Sequence, residues 1–350
     1  MTEITTMTTE GQPGEDVRKQ VAFLGPFSSY SHQATKMAFP GQGWELIPTE
    51  TIKEVFDAVQ SGRTPFGVVP FENSTHGTVT FTLDGLADRT SAYADVAVCA
   101  EVYLDVHHFL LGHLPPPEPT STTNGTGIQS PGTSTPTAAN PDPLRPHPRA
   151  RPLVSLKHIT RVYSHPQAFG QTAAFLATYL RGVDIVDVSS TSRAAAMAAA
   201  DASGTSAAIA GEIAGEANGL GVLARCIEDR EDNVTRFFVI RREDDGEKGG
   251  GQGGEEYAGR YKSLVSFTVP HRTPGALADV LDAFRRAELN LTSINSLPSL
   301  DAPFQYLFFV EFEGSRFHDP EGRVRGVFEV LEKVAQRWRW LGSWGNQRRG

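Results

Sequence analysis

Apolar positions along this chain fall into short runs separated by stretches of helical periodicity. Residues 21–25 form an apolar run ending in glycine, the pattern of a buried strand. A hydroxyl-rich loop follows, Pro26-Phe27-Ser28-Ser29-Tyr30-Ser31, and residues 32–39 read as a helix with Ser31 as N-cap. Ile52, Val55, Phe56 and Val59 recur at helical spacing over residues 52–61, and residues 67–70 return to a short apolar run ended by Pro70. Strand, helix and strand in that order predict an α/β fold with parallel strands. Residues 78–86 begin the next helix. Residues 96–111 hold two apolar runs around Tyr103-Leu104-Asp105, which predicts a strand continuing from one lobe into another.

The pattern breaks between Pro115 and Pro152, where Pro, Ser, Thr, Asn and Gly replace large apolar residues. Such a composition buries too little surface to offset its ordering entropy, so residues 114–152 are predicted to be a disordered insertion within a domain. Beyond it the alternation resumes, with strands at 159–163, 185–188 and 207–210. Helices are predicted from Pro166 to about residue 180, through the alanine-rich residues up to 202, and at 212–218 ahead of Gly219. A charged stretch from Asp229 to Arg236 runs into a strand at 237–240. Residues 243–260 are Gly- and Glu-rich and predict a linker. The order β-α-β-β-α that follows, within residues 261–345, predicts a separate ferredoxin-like domain. Residues 1–19 are predicted to be disordered.

Composition narrows the function. A chain of 350 residues suffices for two or three domains, and a net charge of -9 argues against a general binder of nucleic acid or anionic membrane. Cys99 and Cys226 are too few for a disulfide framework and read as small buried side chains in a reducing compartment. The first twenty residues lack a secretory or transit pattern, and no stretch approaches the roughly 18 continuous apolar residues of a membrane span. A soluble, cytoplasmic protein is expected.

Four polar clusters stand where α/β sheets present ligands. Glu72, Asn73, Ser74, Thr75 and His76 follow the strand that ends near Pro70, and Gly77 then permits close backbone approach. A polar turn capping the next helix would use the same residue types. The loop from Pro26 to Ser31 is either an anion site at a helix N-terminus or a plain cap. Pro166 suits a first helical position, and Gln171, one and a half turns on, can face the same space as Ser164. Asn233-Val234-Thr235 fits a glycosylation acceptor, which an intracellular chain would leave unmodified.

Taken together, these motifs resemble those of prephenate dehydratase with a carboxy-terminal ACT domain, over residues 21–342 apart from the insertion. Gly25-Pro26 with Ser28 and Ser31 resembles the family's Gly-Pro-x-Gly-Thr-Phe-Ser loop. Residues 70–84 agree with Pro-x-Glu-Asn-Ser-x-x-Gly-x-Val-x-x-Thr-Leu-Asp at every defined position. Ser164-His165-Pro166-Gln167 with Gln171 resembles the third motif, and Asp229 with Asn233 and Thr235-Arg236-Phe237 the fourth. Pro274-Gly275-Ala276-Leu277 resembles the effector loop of amino-acid-binding ACT domains. Where the family has Glu-Ser-Arg-Pro, this chain has Asn295-Ser296-Leu297-Pro298.

The resemblance implies a catalytic domain over residues 20–242 built like a type II periplasmic binding protein, with the site between two α/β lobes. A ferredoxin-like (βαββαβ) ACT regulatory domain would follow over residues 261–345. The implied reaction converts prephenate to phenylpyruvate, water and carbon dioxide in phenylalanine synthesis, with phenylalanine as feedback effector of a homodimer or homotetramer. Carried over position by position, Thr235, Asn73, Ser164 and Gln171 are the catalytic candidates. Glu72, Ser74, Ser28, Ser31, Arg236 and Phe237 would surround the substrate, and Gly275, Ala276, Leu277, Asn295, Ser296 and Pro298 the effector.

Forming an aromatic ring drives this reaction, so neither metal nor redox cofactor is expected. The protein has to supply positioning and a donor to the departing hydroxide, for which Thr235 is the candidate. Neutral donors can orient a dianion without over-stabilising the carboxylate that must leave, whereas a fixed cation there would favour the ground state. Arg236 is therefore expected at the pyruvyl carboxylate or in support of the fold. Arogenate dehydratase, with an amino group on the side chain, and a non-catalytic amino-acid sensor on the same lobes are the alternatives.

Overall fold

The computed structural model describes residues 19–115, 148–243 and 261–348. The expected disordered N-terminus, insertion and linker fall outside the described residues, apart from Lys19, Leu114, Pro115, residues 148–152 and Glu243 at their edges. Lobe one contains β1 (Gln20–Leu24), α1 (Tyr30–Ala38), β2 (Glu45–Thr49), α2 (Ile52–Gln60), β3 (Phe66–Asn73), the short β4 (Gly77–Thr78), α3 (Thr80–Ala87) and β5 (Val96–Asp105). Strand β1 lies parallel between β2 and β3. Helix α2 buries Val55, Phe56 and Val59 on this sheet. It comes so close that a Cβ at Gly67 would sit 2.6 Å from Val55 Cγ1. Helix α1 covers the other face through Ala34. It begins earlier than expected because Ser29, not Ser31, caps it by accepting the His32 N–H at 3.2 Å. Ser31 is buried in the first turn.

The expected continuous strand over residues 96–111 is two strands in two sheets. The chain leaves β5, crosses at Val106, His107 and His108, and enters lobe two as β6 (Phe109–Gly112). There follow β7 (Arg161–Ser164), α4 (Pro166–Gln171), α5 (Ala173–Tyr179), β8 (Asp184–Asp187), α6 (Thr191–Ala199), β9 (Ser206–Ala210), α7 (Glu212–Asn218) and β10 (Gly221–Ala224). Their sheet has the order β10-β6-β9-β7-β8. Helices α4 and α5 pack on one face around Phe175, while α6 and α7 pack on the other through Ala194, Ala195, Ala198 and Ala214. The helix expected to run to residue 180 breaks at Thr172, whose hydroxyl donates back to the Ala168 carbonyl at 2.9 Å.

Strand β11 (Val234–Arg242) then returns to lobe one and inserts antiparallel between β3 and β5. Its register against β3 shifts between Arg236, opposite Glu72, and Phe237, opposite Pro70. Phe71 is the extra residue of this bulge. A proline, which cannot donate to a ladder, is tolerated at such an interruption, so β3 continues past Pro70 to Asn73 instead of stopping there.

The carboxy-terminal domain runs β12 (Tyr261–Thr268), α8 (Ala276–Arg286), β13 (Leu291–Pro298), β14 (Tyr306–Glu313), α9 (Arg323–Val334) and β15 (Arg337–Gly345). Its strand order β13-β14-β12-β15 is the ferredoxin-like one. Side chains alternate along the strands. Val265, Phe267, Val310 and Phe312 meet Val280, Phe284 and Leu331 on the helices, whereas Leu264, Leu307 and Phe309 join a core shared with Phe56, Phe71 and Phe238 of lobe one. Gly342 pairs with Val98 and links the two sheets into one of ten strands. Its φ of 141° and the overlap that any Cβ would have with the Val98 carbonyl oxygen make glycine obligatory at this seam.

Four charges are buried along the same seam. Arg236 pairs with Glu101 at 2.5 Å and with Glu311, and Lys262 lies 3.3 Å from Glu101 and 3.4 Å from Glu311. Burial alone would push the Arg236 guanidinium down, but Glu311 and Glu101 outweigh it and hold it raised. Burial would likewise raise Glu311, and Arg236 and Lys262 outweigh that to hold it lowered. A carboxylate with a lowered folded pKa contributes stability above its ordinary value of 4.5 and loses it as pH falls through the folded value. Glu311→Gln should therefore cost about 3–5 kcal/mol at neutral pH, because it leaves two buried cations sharing Glu101. Urea unfolding should show the deficit shrinking in acid; equal stability at pH 7 would contradict a paired cluster.

Candidate active site

The lobes meet where the two crossing segments run side by side. The Val106 N–H donates to the Asn233 carbonyl at 2.8 Å, and the Ile227 N–H to the His108 carbonyl at 2.9 Å. Because β11 returns against β3, Thr235 lies directly opposite Asn73. The Asn73 amide nitrogen donates to Thr235 Oγ1 at 2.9 Å and to Asn233 Oδ1 at 2.8 Å. Its Oδ1 accepts from the Thr75 and His76 N–H groups, each at 3.0 Å, which folds the loop after β3 around the same side chain. Ser74 fixes this loop to the start of β11, donating to the Asp232 carbonyl at 2.6 Å and accepting the Val234 N–H at 2.9 Å. Thr235 Oγ1 thus receives one hydrogen bond, and among the described residues its own proton has no acceptor.

The opposite wall is built around His108. Gln171 Oε1, at the end of α4, lies 2.6 Å from His108 Nε2, and its Nε2 lies 3.4 Å from His76 Nδ1 across the cleft. Since the amide oxygen can only accept, His108 carries its proton on Nε2, and Nδ1 faces the Tyr30 hydroxyl at 3.0 Å. The single Tyr30 hydroxyl proton lies between that nitrogen and the His107 carbonyl, which is also at 3.0 Å. Burial lowers the His108 pKa, and burial followed by the nearby Glu228 charge raises that of Tyr30, so both are neutral near pH 7. Glu228, buried, accepts the His108 backbone N–H at 2.9 Å. Asp229 secures the start of α5 by accepting the Ala174 N–H at 3.1 Å, and its own N–H donates to the Gln171 carbonyl at 2.7 Å. Burial raises the Asp229 carboxyl despite those amide donors.

The structure thus brings together Asn73, Ser74, Gln171 and Thr235 and separates several other candidates from them. Ser164 has no exposed surface, and its hydroxyl donates to the Ile209 carbonyl at 2.7 Å. It ties β7 to the neighbouring strand β9. Arg236 faces the buried seam, away from Thr235, because successive residues of a strand point to opposite faces. Phe237 is a core residue beside Phe23 and Val239. The Ser28 N–H donates to His32 Nδ1 at 3.0 Å, while Ser31 is enclosed in α1. Glu72 is half-buried and pairs through its backbone with Thr78. His108 and Glu228 escaped the sequence reading, and Tyr30 entered it only as part of the Pro26–Ser31 loop. The trace of His108 is a pair of histidines interrupting an apolar stretch.

In the carboxy-terminal domain, Gly275, Ala276 and Leu277 line a pocket of about 450 Å³ with His271, Tyr306 and Phe308. Asn295, Ser296 and Pro298 are elsewhere. Asn295 Oδ1 accepts from the Thr78 hydroxyl at 2.8 Å, and the Pro298 carbonyl accepts from Arg89 at 2.8 Å. Asn295 and Pro298 therefore hold β13 against lobe one instead of lining the pocket. Among the described residues no helix is long and apolar enough to cross a membrane.

Two α/β lobes around a cleft of neutral donors, with a ferredoxin-like domain sharing the core of one lobe, define a two-lobed small-molecule enzyme with an attached accessory module. The family model for prephenate dehydratase matches residues 21–121 and 147–245. The bifunctional chorismate mutase/prephenate dehydratase of Aquifex aeolicus is 31% identical over 93% of this chain and 73% of its own length. The solved prephenate dehydratase of Arthrobacter aurescens, in complex with L-Phe, aligns over 93% of this chain and 90% of its own, at a TM-score of 0.70 and 26% identity. A structure described as GqqA, a novel type of quorum quenching acylase, aligns over 94% and 98% at a TM-score of 0.69 and 25% identity. The chain belongs to the prephenate dehydratase family, whose members are carbon–oxygen lyases.

Proposed function

We propose that this family member converts prephenate to phenylpyruvate with Thr235 as the hydrogen-bond donor to the departing hydroxide. The observation that carries this reading is the Asn73–Thr235 bond at 2.9 Å, which joins residues from two distant motifs and leaves the threonine proton free to donate. As the C–C bond to the ring carboxylate breaks, its electron pair enters the ring, the C–O bond breaks at the far carbon, and hydroxide leaves. A hydrogen bond to that oxygen strengthens as charge develops on it, so it stabilises the transition state more than the substrate. Donation from Asn73 polarises the threonine hydroxyl and fixes its direction. Gln171 and His108, both uncharged, complete a wall that orients the dianion. The guanidinium of Arg236 is spent on Glu101 and Glu311, so it leaves the departing carboxylate unpaired.

Thr235→Ala should lower kcat by about 10²–10³ with little change in melting temperature, and Thr235→Ser should retain most activity. Phenylpyruvate formation measured with prephenate and with arogenate tests the assignment. Near-normal turnover by the alanine variant, or a kcat/KM favouring arogenate, would overturn the donor or the substrate respectively.

The pocket beside Gly275, Ala276 and Leu277 is assigned to L-phenylalanine, in a homodimer. Its apolar wall of Leu281, Tyr306 and Phe308 suits an aromatic side chain, and its size lies within the range of small-molecule sites. Phenylalanine at about a hundred times its dissociation constant should add about 2.7 kcal/mol of stability and lower turnover. Leu277→Asp should remove both effects. A titration that moves neither melting temperature nor rate in the unsubstituted chain would contradict the assignment.

A further inference from the structure

One cluster beside the cleft carries ligand chemistry that the dehydration does not use. His107 Nδ1, the Cys226 thiol sulfur and a Glu228 carboxylate oxygen lie within 4.8 Å of one another on the two crossing segments. Imidazole, thiolate and carboxylate form the mixed donor set of zinc-type tetrahedral sites, and the thiolate selects against calcium and magnesium. The approach is open, since the His107 side chain is 45% exposed and Cys226 is partly exposed.

Glu228 supplies the second argument. Its side chain is 2% exposed, yet among the described residues no lysine or arginine nitrogen lies within hydrogen-bond distance of it. Arg149 Nη1 stands 4.0 Å from Oε1, and its Nη2 is engaged with Glu231. What remains is the His108 N–H at 2.9 Å on one oxygen and His107 Nδ1 at 3.0 Å on the other. A buried carboxylate so sparingly compensated is a place where a cation is favoured. Cys226 adds a third point: it holds a φ of +50°, a left-handed conformation rare for a residue with a side chain and frequent at ligand clamps.

We propose that His107, Cys226 and Glu228 form a site for one divalent transition-metal ion of the zinc type, with the fourth position left to water. The His108 N–H serves as the outer partner that orients the Glu228 carboxylate. Because His108 also holds Gln171, the ion would stiffen one wall of the cleft without touching the substrate. The site stands independently of the dehydratase reading, and its test needs no turnover.

The test uses untagged, chelator-treated full-length protein titrated with Co²⁺ and then with Zn²⁺. One equivalent of Co²⁺ should produce a thiolate-to-cobalt charge-transfer band that Zn²⁺ removes. Cys226→Ser, which leaves Cys99 in place, should abolish the band. His107→Gln should weaken cobalt binding by about tenfold or more. X-ray absorption of the zinc-loaded unsubstituted protein should read one sulfur among nitrogen and oxygen neighbours, which decides the matter even if a variant folds poorly. No charge-transfer band, a stoichiometry and affinity untouched by both substitutions, or a sulfur-free coordination shell would each overturn the site.

Discussion

Everything at the cleft depends on the register in which β11 lies against β3. The chain leaves lobe one, builds lobe two, and returns more than a hundred residues later to slot between two strands already in place. Only one register sets Thr235 opposite Asn73. The bulge at Phe71 fixes it, since Pro70 has no amide to continue the ladder and the pairing must slip there. A slip of one residue would turn Thr235 into the seam and Arg236 into the cleft. The side-chain amide of Asn73 then locks the arrangement by donating to both Asn233 and Thr235 while its oxygen folds the next loop.

That alternation also separates two electrostatic environments by one peptide bond. The cleft side presents uncharged donors, with His108 and Tyr30 held neutral by burial. The other side buries Arg236, Lys262, Glu101 and Glu311 between lobe one and the carboxy-terminal sheet. A cation belongs in the second environment and would be harmful in the first, where a carboxylate has to leave. The seam is also how the accessory domain reaches the site. Glu311 on β14 holds the residue next to Thr235, and Asn295 on β13 holds Thr78 at the end of the loop that Asn73 organises.

Much of this was legible in the chain. The spacing of Ile52, Val55, Phe56 and Val59, the runs at 21–25 and 207–210, and the helix-capping chemistry of Pro166 all follow from local periodicity, which sequence records directly. In the structure Asn73, Gln171 and Thr235 of these motifs lie in one region. Sequence does not record which face a residue takes once a bulge intervenes, so for Arg236 a substrate contact and support of the fold both stayed open, and Pro70 read as a strand end. It does not record which hydroxyl is consumed by backbone or enclosed in a helix, so Ser164 and Ser31 read as site residues although both are buried. The wall of Tyr30, His108 and Glu228 arises only when the crossing segments come together. Strands β2 and β10 were missed because their exposed or mixed patterns carry little periodic signal, and β15 was expected only through the ferredoxin-like resemblance.

The central claim is that Asn73 acts on the reaction through Thr235. A double-mutant cycle on kcat/KM for prephenate, using Asn73→Ala, Thr235→Ala and the pair, tests it directly. Coupled residues depart from additivity by about 0.5–3 kcal/mol, and the account predicts that the pair loses less than the sum of the single losses. Strict additivity, with the Asn73 substitution costing as much in the absence of the Thr235 hydroxyl as in its presence, would contradict it.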